Sequence, residues 1–517
     1  MQNASEKPDW VTNFDRPSGT EIKCINGNYY LYERKSVYDP VTKKKRKKSG
    51  AMIGTLTPSG LVPKGVKIDS SALMQIENLE YGTSQFLYDA SSHIIDRLRT
   101  CFPHRWKELF AMAFLRCTEQ SPFKRMGYYY STSYLSQLLG NLSLSPAAVT
   151  KLLKEIGTDR GSIKQFMQAD LDESGIIMID GHRIITHSES LEFARLGYDS
   201  KMRYLPQINL IYLFRVSGAG RLPVYYKQFS GDVPDVSTFD DILHDVRLQK
   251  HEVTLIADKG FGSETNFELI VDSGLSYIIP LKRNTAQIGK RPEHLGDYDQ
   301  IFNYRGHPIY GKTYVRDDCQ VYLYYDTALA SNETADLVDR LNKKNATAEH
   351  ARKKEEARRS KGKGRLSDTQ LEKLTPLNLT EAVQQHKGIG TFVLQTNRSD
   401  LNCQQVHHLY KTRQEIEQTF KSYDTVLEGS ASYMQDLHAL EAWLFINHLA
   451  LQMLYGVIDR IAAAGLTSTY SFNDMISYLK GIRVNRINNV WYVSKVTKKT
   501  QSLCDKLDLN LKLTGAL

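Results

Sequence analysis

Two aspartates stand at the same kind of place in this chain. Asp180 closes the apolar run Ile176-Ile177-Met178-Ile179, and Asp258 closes Val253-Thr254-Leu255-Ile256-Ala257. Carboxylates at the carboxyl ends of buried strands point into the crevice where open α/β sheets bind ligands. If the two strands are neighbours, the pair can share a divalent ion. Mg2+ takes few protein carboxylates and keeps water or phosphate oxygens as its other ligands. Two such ions about 4 Å apart activate a nucleophile and stabilise a leaving 3′ oxygen. Either aspartate alone reads equally well as a turn cap at a strand end. The pair is stronger evidence, and a third acid decides the matter.

A third acid is offered by the stretch Tyr410 to Lys421. On a helix Tyr410, Arg413, Glu417 and Lys421 share one face, at spacings of three, four and four. An aromatic, a guanidinium, a carboxylate and an ammonium make a poor core face and a plausible surface for a phosphodiester beside a metal. A solvated face with i,i+4 ion pairs is the bland alternative. Lys259, next to Asp258, is a weaker phosphate candidate. His182, two residues past Asp180, is read first as a structural histidine and second as a substrate contact.

These residues need a scaffold. From residue 175 the chain reads as three strands (176–180, 207–214 and 222–229), a helix (238–246), a strand (253–258), a helix (263–272) and a strand (276–280). That order suits a mixed five-stranded sheet with helices on both faces. Between about 285 and 390 the pattern breaks into short β pieces at 309–310 and 320–325, then a charged helical stretch, 334–359. A strand at 391–395 and a helix from 402 to about 423 follow. Residues 130–157 hold two short amphipathic runs, the second opened by Ser145-Pro146 as N-cap and first helical residue. A helix-turn-helix and an ordinary packed helical pair both fit them.

The net charge of +9 is concentrated. Lys43, Lys44, Lys45, Arg46, Lys47 and Lys48 form one basic run at the tip of an expected hairpin, and residues 343–365 form a second. Together they carry +13, so the rest of the chain is about −4. A polyanionic partner is the natural reading of such concentration, because each neutralised phosphate releases counterions. Solvated loops are the alternative for each run. Six cysteines lie far apart without a CxxC pair, which suggests neither zinc nor disulfides and fits a reducing cytoplasm. No signal peptide is apparent. The most apolar stretch, 442–458, is broken by Asn447, His448 and Gln452, and reads as a buried helix rather than a membrane span. Gly306 to Thr313 fits the P-loop pattern, but it follows a polar segment and precedes a β-like one, and Pro308 removes a donor. An ATPase is therefore not expected.

The run Tyr410-x2-Arg413-x3-Glu417 resembles the Y-R-E-K signature of the DDE transposases of bacterial insertion sequences, the insertion-sequence-four superfamily. The segments IIMIDG, LPQINLIYLF and LIADKGFGSETNF resemble that family's first, second and fourth strand regions. The signature's lysine should fall at 424, where this chain has Asp424; Lys421, one turn earlier on the same face, could take over its phosphate contact. The resemblance implies an α/β fold: a ribonuclease H-like mixed sheet interrupted by an insertion domain, preceded by an N-terminal β-hairpin and a helical region.

It further implies Mg2+, with Mn2+ as a substitute, held by Asp180, Asp258 and Glu417. The partners implied are double-stranded DNA, as terminal inverted repeats and as target, and a second copy of the chain in the DNA complex, with no membrane. The chain would act in the cytoplasm, on the nucleoid when bound to DNA. Hydrolysis at an element end would free a 3′ hydroxyl to attack the opposite strand or target DNA. The expected layout is a β-rich region with the basic hairpin (1–75), a helical end-binding region (76–170), the catalytic domain (171–284 and 391–460), the insertion with its basic helix (285–390), and a C-terminal region (461–517) with no legible role. Two other readings stay open: an inactive or domesticated DNA-binding relative, and a ribonuclease H-fold nuclease without strand transfer.

Overall fold

The structure is a computed structural model. It describes residues 7–40, 42–58, 60–64, 76–171, 175–198, 204–217, 220–246, 253–316, 318–363, 365–386, 388–413, 426–427, 429–487 and 489–517. The chain divides into two units, one of Met1–Asn78, Asn485–Tyr492 and Ala516–Leu517, the other of Leu79–Val484 and Val493–Gly515.

The smaller unit holds an antiparallel meander of β1 (Thr20–Ile25), β2 (Asn28–Asp39), β3 (Lys44–Thr57) and β4 (Gly60–Pro63). Val11, Tyr29 and Leu56 form its small core, with Trp10, Phe14, Ile22 and Leu61 packed around them. β1 pairs β2 only as far as Glu33, and β4 pairs β3 only from Gly54. From the Lys35↔Lys48 pair to the Asp39↔Lys44 pair, β2 and β3 continue as a two-stranded ribbon.

The larger unit is built on one sheet. After β5 (Glu77–Glu80) and a run of helices come β6 (Gly175–Thr186), β7 (Arg195–Tyr198), β8 (Tyr204–Ser217), β9 (Gly220–Ser230), β10 (Val253–Ala257) and β11 (Ser276–Leu281). The order β9-β8-β6-β10-β11 is the expected five-stranded core, with β10 parallel to both β6 and β11 and the others antiparallel. The sheet is wider than the sequence suggested. β12 (Gln300–Tyr304), β13 (His307–Val315), β14 (Gln320–Asp326) and β15 (Thr391–Thr396) continue it beyond β11, giving eleven strands among the described residues with β7 and a short β16 (Ala431–Ser432). The physical reason is the open edge of β11, which β15 covers in antiparallel register.

Helices cover both faces, and two adjacent residues of β9 show how, since successive side chains on a strand point to opposite sides. The Tyr225 hydroxyl donates to Asp245 Oδ2 (2.9 Å) of helix Phe239–Val246. Tyr226 donates to Glu441 Oε1 (2.8 Å) of helix Leu437–Ala463. This 27-residue helix contains the apolar stretch 442–458 and is buried along most of its length. Its polar residues are hydrogen-bonded inside: Asn447 accepts from Arg116 (3.0 Å), His448 Nδ1 meets the Tyr212 hydroxyl (2.5 Å), and Gln452 donates to Asp170 (2.8 Å). Among the described residues no helix is long and apolar enough to cross a membrane.

Helices Leu135–Leu139 and Pro146–Thr158 fill the region left open between two readings. Ser145 caps the second, accepting from Ala148 N, and Val149, Leu152, Leu153 and Ile156 are buried, so its apolar face is spent on packing. As far as Arg359 the second basic run lies on a 33-residue helix, Thr327–Arg359, capped by Asp326, and Lys361, Lys363 and Arg365 follow its end. The P-loop-like segment is the β12–β13 hairpin and β13 itself; Lys312 pairs with Asp299 (2.7 Å), and no helix follows.

Candidate active site

The site grows from the parallel register of β6 and β10, which sets Ala257 opposite Ile179. Asp180 and Asp258 are each the next residue, so the two carboxylates leave neighbouring strands side by side. One expectation needs correcting. Asp180 does not end its strand: β6 runs on to Thr186, held by β8 on one side. What ends at Asp180 is the β10 neighbour, and the opened edge of β6 is taken up further along by Ala431–Ser432. Asp258 is a turn cap as well as a neighbour of Asp180, since its carboxylate caps the turn Lys259–Phe261 by accepting from Lys259 N (2.7 Å).

Arg413 joins the pair. Its Nη2 lies 3.6 Å from Asp180 Oδ1 and 3.6 Å from Asp258 Oδ2. Helix Cys403–Lys411 delivers it: Asn402 caps that helix with a reciprocal box to Gln405, and Arg413 N continues the turn to Tyr410 O (3.0 Å). Arg413 donates to the Tyr410 hydroxyl oxygen; burial chiefly, against the pull of that cation, pushes the Tyr410 pKa up to about 12. Asp180 is only 13% exposed against 47% for Asp258. Burial first, with the charge of Asp258 adding, raises the Asp180 carboxyl to about 6 although Arg413 pulls it down.

Four of the residues singled out in the sequence are thus brought together: Asp180, Asp258, Tyr410 and Arg413. Glu417, Lys421 and Asp424 lie outside the described residues. Among the described residues no three His, Cys, Asp or Glu side chains gather to hold a metal. Two hard carboxylates that already attract one cation, the guanidinium, are a donor set that fits Mg2+.

A family model described as a transposase DDE domain matches residues 172–453, more than half of the chain. The chain belongs to the DDE transposases. No curated protein gave a match. The match runs from the threshold of β6 through most of helix Leu437–Ala463, so it takes in both aspartates and Arg413 of this DDE transposase.

Beside Asp258, a cavity of about 430 Å³ is lined by Lys259, Ser263, Lys282, Asn284 and Thr285 among others. Lys259 is exposed at its rim. Lys282 belongs to none of the motifs in the sequence, although a signal is present: it follows β11, the third parallel strand, at the same end of the sheet as the aspartates. Asp235, also at this site, has no local signal in the sequence. Asp235 Oδ1 accepts from Arg183 Nη2 and Asn209 Nδ2, both at 2.8 Å. A Cβ on Gly181, the residue after Asp180, would come within 2.7 Å of Asp235 Oδ2. Glycine at 181 therefore lets the acid-bearing strand sit directly on this carboxylate. His182 is half-buried on β6, two residues along from Asp180 and so on the same side of the strand. Lys43 to Lys48 belong to the other unit, on the ribbon and its turn.

Proposed function

We propose that this chain is a cut-and-paste DNA transposase of the insertion-sequence-four, Y-R-E-K group. It would bind the terminal inverted repeats of its element, cut there, and join the freed 3′ ends to target DNA, working as a homodimer so that two ends are held together. The observation that carries the reading is the convergence of Asp180 and Asp258 on Arg413. Asp180 and Asp258, with Glu417 as third ligand, would hold Mg2+ or Mn2+. When bound, the metal supplies charge stabilisation for in-line displacement at phosphorus and lowers the pKa of the attacking group.

The chain's own residues do the rest. Arg413 can present its fork to a non-bridging phosphate oxygen while holding the two carboxylates in place. Tyr410 keeps its proton at neutral pH and so serves as a hydrogen-bond donor to a phosphate or sugar oxygen. Lys259 stands where a flanking phosphate would pass, Lys421 would stand in for the lysine replaced by Asp424, and Lys43 to Lys48 would meet duplex DNA. In the first step water attacks phosphorus and the 3′ oxygen leaves with a proton. In the second the 3′ hydroxyl attacks a new phosphodiester, so bonds to phosphorus are exchanged without an outside energy source.

The test uses DNA carrying this gene with its natural flanks, purified protein and Mg2+ or Mn2+, with Glu417→Gln in parallel and products mapped by sequencing. Metal-dependent breaks at inverted repeats with joined products, absent in the variant, are expected. Cuts without joined products would favour the nuclease reading. Binding without cutting by wild type, while a related enzyme cuts its own ends in the same buffer, would favour a DNA-binding relative.

A further inference from the structure

The ribbon formed by β2 and β3 has an uncommon distribution of charge. Residues directly opposite each other in an antiparallel pair share a face, and faces alternate along each strand. The register puts Lys35, Lys44, Arg46 and Lys48 on one face, with Val37 between them and the one acid of the ribbon, Asp39, paired with Lys44, and Lys45 and Lys47 on the other, with Ser36 and Tyr38. Strand residues 35–38 and 44–48 are all exposed, Val37 by 49% and Tyr38 by 57%. A ribbon that packs on its own protein has one apolar face, and one that rests on a flat anionic surface needs cations on one side only. This one is cationic on both.

We infer that the ribbon enters the major groove of duplex DNA, where each face meets the phosphates of one strand. The inference deepens the proposed function and rests on it only for the choice of DNA among polyanions. The dimensions agree. A ribbon carrying side chains on both faces is about 10 Å thick, which approaches the roughly 12 Å width of the major groove and exceeds the roughly 6 Å of the minor groove. Five residue pairs at about 3.3 Å each give an arm of roughly 17 Å, the rise of about five base pairs. Val37 and Tyr38, at mid-arm on opposite faces, are placed to touch base edges such as a thymine methyl, while the lysines hold the backbone.

The experiment measures binding of the full-length protein to a fluorescein-labelled 40-base-pair DNA duplex by anisotropy, without divalent metal, as a function of salt. Three proteins are compared: wild type, a first-face variant (Lys44→Gln, Arg46→Gln, Lys48→Gln) and a second-face variant (Lys45→Gln, Lys47→Gln). The slope of log affinity against log salt should fall by about 2.7 for the first and about 1.8 for the second, at roughly 0.9 per phosphate contact. Lys45→Arg with Lys47→Arg should keep the wild-type slope. An unlabelled RNA duplex of the same sequence should compete poorly, because its major groove is too deep and narrow for side chains. Unchanged slopes in both variants, loss in only one face, or equal competition by RNA would each overturn the groove assignment. Cleavage is scored separately. Absence of cutting with both slopes reduced would count against the transposase reading and leave the ribbon inference standing, and cutting with unchanged slopes would do the reverse.

Discussion

The guanidinium of Arg413 stands 3.6 Å from the carboxylate of Asp180. It is equally close to Asp258, so one positive charge compensates two negative ones that strand register forces together. Removing it by Arg413→Ala should leave like charges facing each other in a partly buried site. In metal-free buffer the variant is expected to lose about 1–3 kcal/mol, discounted for the exposure of Asp258. Millimolar Mg2+ should narrow that gap, because it supplies the missing charge. Thermal melts with EDTA and with Mg2+ read this directly; an equal deficit in both buffers would contradict it.

The two aspartates should separate in stability although the proposed function gives both the same part in cleavage. Asp180 is buried more deeply, and its charged form is disfavoured there. Asp180→Asn is therefore expected to stabilise the metal-free protein by about 1–2 kcal/mol. Asp258→Asn, at a half-exposed position, should stay within about 0.5 kcal/mol of wild type. Denaturant titrations check the ranking, and DNA binding by both variants should persist.

Gly181 is expected to tolerate no side chain while Asp235 is present. A methyl at 181 would press on Asp235 Oδ2, whose partner oxygen is fixed by Arg183 and Asn209. Gly181→Ala should cost about 1–3 kcal/mol. In an Asp235→Ala background the same change should cost clearly less, a coupling that a double-mutant cycle would expose. Additive costs would show that the clash lies elsewhere.

His448 should make the fold acid-sensitive. It is fully buried against Tyr212, and burial, with Arg97 and Arg160 adding, pushes its pKa down to about 3. A histidine in the unfolded chain takes up its proton near pH 6.5, so between about 6.5 and 3 the unfolded state binds more protons than the native one. Its contribution then falls with falling pH, by up to about 1.4 kcal/mol per unit. Relative to His448→Gln, wild type should lose stability on acidification from pH 6 to 5, as followed by urea unfolding at each pH. Parallel curves would remove His448 as the cause.

Much of this site was written locally. The side-by-side placing of Asp180 and Asp258 follows from two apolar runs that stop at a carboxylate, with a true strand end only at Asp258, and the spacing of Tyr410 and Arg413 from helical periodicity. The helix holding residues 442–458 was legible because few charges interrupt it. Other features depend on partners distant in sequence. Nothing in Gly181 to Thr186 announces that β6 continues, because the support comes from Gln207 to Tyr212 of β8. The pairing of β14 with β15 joins residues about 70 apart, beyond any local pattern. The contact of Asp235 with Arg183 and Asn209 is likewise a product of the assembled sheet. The two-faced ribbon lay between these cases: its charge was visible, but only the register tells which lysines share a side.

The pairing of Ala431–Ser432 with Ile185–Thr186 carries a further consequence, one of chain entropy. Arg413 is tied to Asp180, and Ser430 O accepts from Ile185 N at 2.9 Å, so the chain leaves β6 and returns to it within five residues of the same strand. One strand thus holds Arg413 and Ser430 in place, so the cost of bringing these two points of the chain together is met when the sheet folds and not when DNA arrives. Loss of either contact would move that cost to the step in which substrate binds.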